Sequence, residues 1–492
     1  MQYFSTRNEK KLIPSYYAIK EGLAEDRGLF VPERIPEISL QQLRNMCSMN
    51  YQQRAYAVMR NYLPEFDEEE LRDIISASYG SNFDVPTVAP VSFMDSKTGF
   101  LELWHGPTCA FKDIALQALP HLLTRSLQKA DEKRTVCILV ATSGDTGKAA
   151  LEGFADVPGT KILVFYPRDG VSKTQRLQMI TQSGENVFVS GVIGNFDDAQ
   201  NGVKMIFADA KFAEELDKRG YFLSSANSIN WGRLLPQIVY YFSAYCDSVN
   251  AGKILFGDSL TFAVPTGNFG DILAGWYAKQ MGLPIRKLLC CSNQNNVLTD
   301  FIKSGTYDIN RKFYTTISPS MDILVSSNLE RLLYHISRDS SEVRSYMDAL
   351  GKEGRYTVRH EILDAITKDF DAGFASDAET KESIREVYEK SRYLMDTHTA
   401  TAWTILKKMR DAGEYTGPAI IVSTASPFKF SENVMTALRP DLPSMNLSTE
   451  DLARYTGQSV PAPLKNLEER QIRFEESVER SGMKDAVSRF LA

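Results

Sequence analysis

A lysine, a glycine-bordered turn and a hydroxyl-rich loop are the features of this 492-residue chain whose composition suits covalent and anion chemistry. Lys112 stands in His105-Gly106-Pro107-Thr108-Cys109-Ala110-Phe111-Lys112-Asp113 and precedes an apolar run, Ile114 to Leu119. A lysine drawn into apolar surroundings holds its proton less firmly, and the neutral amine is both nucleophile and base. Spacing alone leaves a solvated surface lysine as the alternative. The second feature, Pro265-Thr266-Gly267-Asn268-Phe269-Gly270, lies between strand-like Leu260 to Val264 and helix-like Asp271 to Met281. Glycines let backbone approach a ligand closely, and a helix start offers unpaired N–H groups and partial positive charge, which is what a phosphate needs. The turn matches neither G-x-G-x-x-G nor a P-loop, so a plain tight turn is the competing reading. The third, Ala141-Thr142-Ser143-Gly144-Asp145-Thr146-Gly147, sets three hydroxyls and two glycines at a helix amino end, an anion site by construction. Helix capping by Ser143 or Asp145 would account for one residue of that set but not the rest.

These loops need elements to hold them. Apolar, β-branched runs at Thr135–Thr142, Lys161–Tyr166, Asn186–Val189, Leu260–Val264, Arg286–Cys291 and Ala419–Thr424 predict strands. Helical patterns at Thr146–Ala155, Ser172–Gln182 and Asp197–Leu216 lie between several of them. Such alternation predicts an α/β fold with parallel sheet, whose right-handed crossovers gather the loops along one edge, where ligands bind. Ahead of this region, Leu40–Tyr62 and Glu68–Tyr79 predict helices, and Gly80 with Pro86 and Pro90 marks a boundary. From Val297 to Arg410 the chain turns helical and charged, and Leu467–Leu491 carries a charged amphipathic helix pattern.

Composition narrows the function classes. At about 150 residues per domain the chain makes roughly three domain-sized units. Apolar residues are 43% and charged residues 24%, which excludes an intrinsically disordered chain. A net charge of −6 argues against nucleic-acid binding and adhesion to anionic membranes. The longest apolar runs are strand-sized, and the first seventeen residues, broken by Arg7, Glu9, Lys10 and Lys11, hold no secretory h-region. Six cysteines without C-x-x-C spacing fit reduced, packed thiols. The expectation is a soluble, cytoplasmic protein.

The order His105–Asp113, Ala141–Gly147, Asn227-Ser228-Ile229-Asn230-Trp231, Pro265–Gly270 and Ser423-Thr424-Ala425-Ser426-Pro427 resembles the threonine synthase family of fold-type-II pyridoxal-phosphate enzymes. The opening Tyr3-x-Ser5-Thr6-Arg7 and Gly22-Leu23-Ala24-x-Asp26-x-Gly28-Leu29-Phe30-Val31-Pro32 is similar to that family's longer bacterial and fungal branch. The resemblance implies a tryptophan-synthase-β-like fold with two parallel-sheet subdomains, a mostly helical amino-terminal domain and a helical carboxy-terminal region. The corresponding boundaries are 1–85, 86–130 with 235–430 for the large cofactor-binding domain, 131–234 for the small one, and 431–492. It implies that Lys112 carries pyridoxal 5'-phosphate and acts in catalysis. The cofactor's phosphate would lie in the cup Gly267, Asn268, Phe269 and Gly270, with Asp271 just inside the helix, and its ring nitrogen against Thr424. Asp145 stands where many relatives have an asparagine beside the ring oxygen, which implies two anionic groups titrating as a coupled unit. Substrate contacts map onto Thr142, Ser143, Thr146, Asn227, Ser228 and Arg233. The implied reaction takes O-phospho-L-homoserine and water to L-threonine and phosphate, on a monomer or homodimer without nucleic-acid or membrane partners. A same-fold phospho-lyase releasing 2-oxobutyrate, phosphate and ammonia is the alternative, and a cofactor-free binding protein is a more distant one. His105 and His398 are expected in structural roles, and Cys109, Cys290 and Cys291 as packed thiols.

Overall fold

The computed structural model describes residues 1–142, 144–441 and 447–492. Its larger sheet runs in the order Phe370–Phe374, Ile285–Ser292, Leu260–Pro265, Ala419–Ser423, Thr98–Glu102, Val91–Phe93. All neighbours are parallel except the last pair, Val91–Phe93 with Thr98–Glu102. The strands Leu260–Pro265 and Ala419–Ser423 are buried along their whole length, as parallel strands covered on both faces must be. A smaller parallel sheet runs Ser477–Val478, Val187–Val192, Thr160–Pro167, Thr135–Ala141, Tyr221–Ser224.

Three adjacent strands of the larger sheet decide where the site forms. Leu260–Pro265 ends in the glycine-bordered turn, Ala419–Ser423 ends at Thr424, and Thr98–Glu102 leads into the lysine loop. Neighbouring strands lie about 4.8 Å apart, so the three segments emerge side by side within roughly 10 Å. The strand Thr135–Ala141 of the smaller sheet brings in the hydroxyl-rich loop.

The helix Trp231–Asn250 joins the parts. Its 20 residues are buried nearly throughout, and it packs against the helices Tyr51–Met59, Lys112–Leu116 and Gly270–Gln280. A helix apolar on all sides belongs in the interior. At its start Trp231 meets Tyr3, Tyr62 and Tyr277, each ring centroid 5.4 Å away, which fastens the amino-terminal domain onto the catalytic body. The Arg7–Glu330 ion pair at 2.8 Å adds a polar fastening. No helix among the described residues is long and apolar enough to cross a membrane.

Three expectations need correction. The amino-terminal domain has the expected helices (Leu40–Met46, Tyr51–Met59, Glu68–Ser78) but opens with an antiparallel sheet, Asn8–Pro14, Gln2–Ser5, Phe30–Pro32. Asn8–Pro14 is largely exposed, so it shows no buried-strand pattern to read. The helix expected over Asp197–Leu216 breaks at Asp209, whose carboxylate accepts from Phe212 N at 3.0 Å and starts a second helix, Ala210–Lys218. The amphipathic pattern over Leu467–Leu491 is α-helical only from Met483 to Phe490, with short 3-10 turns at Leu467–Glu469 and Arg480–Gly482. Ahead of it the backbone N–H groups of Arg473 and Phe474 donate to the Ile180 carbonyl, and Ser477–Val478 pairs with Gly191–Val192. Bonds to the smaller sheet's own elements outbid local helix formation there. The segment 431–492 is accordingly shared: Ser431–Leu438 packs on Asp377–Ser391 of the large domain, and 477–490 joins the small one.

Candidate active site

The lysine loop is rigid for reasons written in its own residues. Asp113, fully buried, accepts from Thr108 N at 2.8 Å and Thr108 Oγ1 at 2.6 Å. Gly106 must lack a side chain, because a Cβ there would lie 2.5 Å from that of Asp113. Phe111 N donates to the Thr424 carbonyl at 2.8 Å, which ties the loop to the neighbouring strand end. Lys112 begins the helix Lys112–Leu116, half-buried, with its nitrogen 4.3 Å from the Phe111 ring centroid. Among the described residues its amine makes no hydrogen bond. Burial lowers its pKa to about 8; Asp145 opposes the shift, Arg233 and Lys429 reinforce it, and Asp271 again opposes. A sizeable neutral fraction near pH 8 is what a nucleophilic amine requires.

The turn at Gly267–Gly270 is held open by its surroundings. Ser326 Oγ donates to the Gly267 carbonyl at 2.6 Å, and Asn328 donates to the Asn268 carbonyl from its backbone and side-chain nitrogens, both at 3.1 Å. With the carbonyls tied back, the backbone N–H groups of Gly267, Asn268, Phe269 and Gly270 have no partner among the described residues. Phe269 adopts φ 63°, which bends the chain into the helix Gly270–Gln280. The result is a cradle of free N–H donors on a helix start. Asp271 is the second residue of that helix. Its carboxyl accepts from Tyr240 at 2.5 Å and Tyr241 at 2.8 Å, and burial raises its pKa to about 6.

Thr142 shapes the hydroxyl-rich loop: its Oγ1 accepts from Gly144 N at 3.0 Å and Gly147 N at 2.9 Å. Asp145 does not cap this helix, because its carboxylate bonds to Gln175 and Lys429; Ser143 lies outside the described residues. Thr146 is half-buried in the helix's first turn. Asp145 accepts from Gln175 Nε2 at 3.0 Å and is paired with Lys429 at 2.8 Å, both charged side chains being buried. Burial pushes its pKa up, but the charges of Lys429 and then Lys112, with the hydrogen bonds, outweigh burial and hold it at about 2. Lys429 balances the charge of this carboxylate.

Arg233 is the site's uncompensated charge. It is 3% exposed, donates from Nη1 to the Ala226 carbonyl, and leaves Nε without a partner. No carboxylate among the described residues forms an ion pair with it, and burial lowers its pKa to about 10. A buried cation in this condition is a receptor for an anion. Asn227 and Ser228 lie in the loop before its helix, and Ser228 Oγ accepts from Asn328 Nδ2 at 3.3 Å. Thr424 is buried, its hydroxyl without a hydrogen bond among the described residues. His105 is held between Asp84 at 2.6 Å and Glu102 at 2.9 Å, and His398 accepts from Ser320 N at 3.2 Å; both are engaged in structure.

Sequence reading missed Lys429, Gln175, Asn328 and Arg331. Lys429 carried a usable signal, a lysine between Phe428 and Phe430, the same apolar setting that singled out Lys112. The set fits pyridoxal phosphate: a free amine of lowered pKa, an N–H cradle for its phosphate, and a spare hydroxyl between them.

The comparisons agree. Residues 2–79 match the family described as threonine synthase N terminus, 100–426 pyridoxal-phosphate dependent enzyme, and 399–487 threonine synthase, C-terminal. Human threonine synthase-like 1 is 41% identical over 456 residues, covering 89% of this chain and 61% of that protein, so the chain spans about three fifths of that relative. Saccharomyces cerevisiae threonine synthase is 39% identical over 468 residues, 89% of either chain. The crystal structure of pyridoxal-phosphate-bound threonine synthase from Brucella melitensis superposes with TM-score 0.88 at 36% identity, covering 100% of this chain and 99% of that one. With the lysine, the cradle and the sheet order all in place, the chain belongs to the fold-type-II pyridoxal-phosphate-dependent enzymes, in the threonine synthase family.

Proposed function

We propose that the protein is a threonine synthase, converting O-phospho-L-homoserine and water to L-threonine and phosphate. The observation that carries this reading is a free amine, Lys112, sharing a site with a buried arginine that has no acid partner among the described residues. Bound pyridoxal phosphate supplies an electron sink that stabilises negative charge next to the substrate's amino carbon. The chain's residues do the rest. The N–H groups of Gly267–Gly270 hold the cofactor phosphate at the helix start, and the Thr424 hydroxyl serves the ring nitrogen as a neutral partner. The loop Thr142–Thr146 holds the substrate carboxylate at the amino end of its helix. Arg233, with Asn227 and Ser228, holds the substrate phosphate on the far side. Lys112 Nζ takes the α-proton and then a β-proton, the move that expels phosphate from the γ-carbon. A flexible four-carbon stem lets one amine serve adjacent carbons. Reprotonation at the γ-carbon and addition of water at the β-carbon complete threonine.

The test is quantification of threonine, 2-oxobutyrate and phosphate from O-phosphohomoserine. Threonine in near-equal amount to phosphate is expected. Keto acid in its place would establish the phospho-lyase reading, which gains weight from the 41% identity to a protein named only threonine synthase-like. The cradle has its own test. A methyl at Gly267 would lie 2.5 Å from the Ser320 carbonyl oxygen, a backbone atom with no freedom to step aside. Overpacking of this kind costs about 1–3 kcal/mol. Gly267→Ala is therefore expected to weaken pyridoxal phosphate binding by about tenfold or more in fluorescence titration of the apoenzyme. Unchanged affinity would remove the turn from the cofactor site. Six free thiols, five of them buried, support a reducing, cytoplasmic setting, and a monomer or homodimer is the proposed assembly.

A further inference from the structure

Lys429 sits in the turn Pro427–Phe430, after the strand that ends at Thr424, and is 1% exposed. Its ammonium donates to the Thr108 carbonyl at 2.9 Å and lies 2.8 Å from Asp145 Oδ1. Thr108 belongs to the lysine loop of the large domain, and Asp145 to the first turn of a helix in the small domain. One buried ammonium thus ties the lysine loop to a carboxylate brought in by the other sheet. The same Asp145 Oδ1 also accepts from Gln175 Nε2 at 3.0 Å, and Gln175 in turn accepts from Ser172 N at 3.2 Å in the capping box of its helix. No step of the proposed reaction uses Lys429.

We propose that Lys429 is a positioning residue that holds Asp145 as half of a neutral ion pair, so that the carboxylate faces the cofactor without adding net charge beside Lys112. The physical need is plain. An isolated buried carboxylate would favour the protonated, non-nucleophilic form of a nearby amine. It would also repel a phenolate oxygen placed against it. A paired carboxylate keeps its capacity to accept a hydrogen bond while its field largely cancels at a distance. The charges that act on Lys112 are Asp145, Arg233, Lys429 and Asp271. Asp113, held by Thr108 N and Oγ1, is a further carboxyl influenced by Lys429. Arg233 and Asp271 stay constant in the comparison below, so the Lys429–Asp145 pair is the variable.

The inference rests on Lys112 as the cofactor lysine, and the experiment separates the two ideas. The rate at which apoenzyme takes up pyridoxal phosphate covalently, followed by absorbance against pH, reads the amine's titration, since only the neutral amine reacts. The wild-type midpoint is expected near the Lys112 value of about 8. Lys429→Met, nearly isosteric and uncharged, should raise it by about 1–2 pH units, and Asp145→Asn should lower it. Lys429→Arg should leave it in place, and Lys429→Met with Asp145→Asn should bring it back near the wild-type position. A purely structural role would not give opposite signs that cancel. Single variants that shift the same way, or a double variant that stays displaced, would overturn the proposal. Should Lys429→Met not fold, Asp145→Asn decides by its sign, because the unpaired Lys429 left behind must depress the midpoint. Covalent uptake persisting in Lys112→Ala would instead remove the lysine assignment, a distinct outcome.

Discussion

Lys112→Ala lowers threonine formation by at least about 10³-fold while the apoenzyme's melting temperature stays within a few degrees of wild type. General acid–base catalysis by a positioned group is worth about 10²–10⁴, and Lys112 is asked to move protons at adjacent carbons as well as to carry the cofactor. Lys429, the other lysine whose charge acts on Lys112, is not free to take over, because it is committed to Asp145 at 2.8 Å and to the Thr108 carbonyl at 2.9 Å. The small stability effect follows from the same geometry. The Lys112 amine makes no hydrogen bond among the described residues, so its removal strands no partner, and large losses come only from named defects of that kind. A steady-state assay beside a thermal melt reads both. Activity within tenfold of wild type would end the catalytic assignment.

Arg233→Met separates binding from folding in the opposite direction. The guanidinium is buried with its Nε unpartnered and, among the described residues, no carboxylate to balance it. Burial lowers its pKa from the ordinary arginine value to about 10, which puts the penalty for carrying this charge on the order of 3 kcal/mol. A base whose folded pKa is depressed is destabilising below that pKa, so the penalty is present at neutral pH and eases only as the pH climbs through about 10. Neutral methionine removes it, and the apoenzyme should melt no lower than wild type even though the bond to the Ala226 carbonyl is lost. Substrate recognition should collapse. A charge-assisted contact in a buried site is worth about 2–5 kcal/mol, so kcat/KM falls roughly 10²–10³-fold, mostly through KM. With pyridoxal phosphate loaded, so that the Gly267–Gly270 cradle is filled, inorganic phosphate should raise the melting temperature of wild type, because a ligand of the folded state stabilises it, and should not raise that of the loaded variant. A variant that melts far lower, or that phosphate still stabilises, would show Arg233 to be a structural residue.

The two arginines near the substrate loop show how far local reading reaches. Arg233 stands three residues from Asn230 in a recognisable motif, and its planar fork suits phosphate, so its candidacy was visible in the chain. Arg331 was not. It is fully buried and donates to the Phe30 carbonyl at 3.0 Å, to Asn328 Oδ1 and to the Ile229 carbonyl. It thereby links the amino-terminal sheet, the Asn328 that braces the Gly267–Gly270 turn, and the loop Asn227–Asn230. In sequence it is one arginine within the helix Leu329–Ser337, like any surface arginine.

By itself the sequence determined the alternation of buried strands with helices, the loops at the strand ends, the apolar setting of Lys112 and the glycine-bordered turn. These are legible because they depend on side-chain period, on glycine's backbone freedom and on residues close along the chain. Only the tertiary structure decided that Lys429 pairs with Asp145, that Thr142 closes the helix start, that Arg233 meets no acid among the described residues, and that Ser477–Val478 joins the smaller sheet. Each of those depends on which groups lose water together and which charges meet across distant segments, and the energy of a buried charge is set by that company and not by its neighbours in sequence.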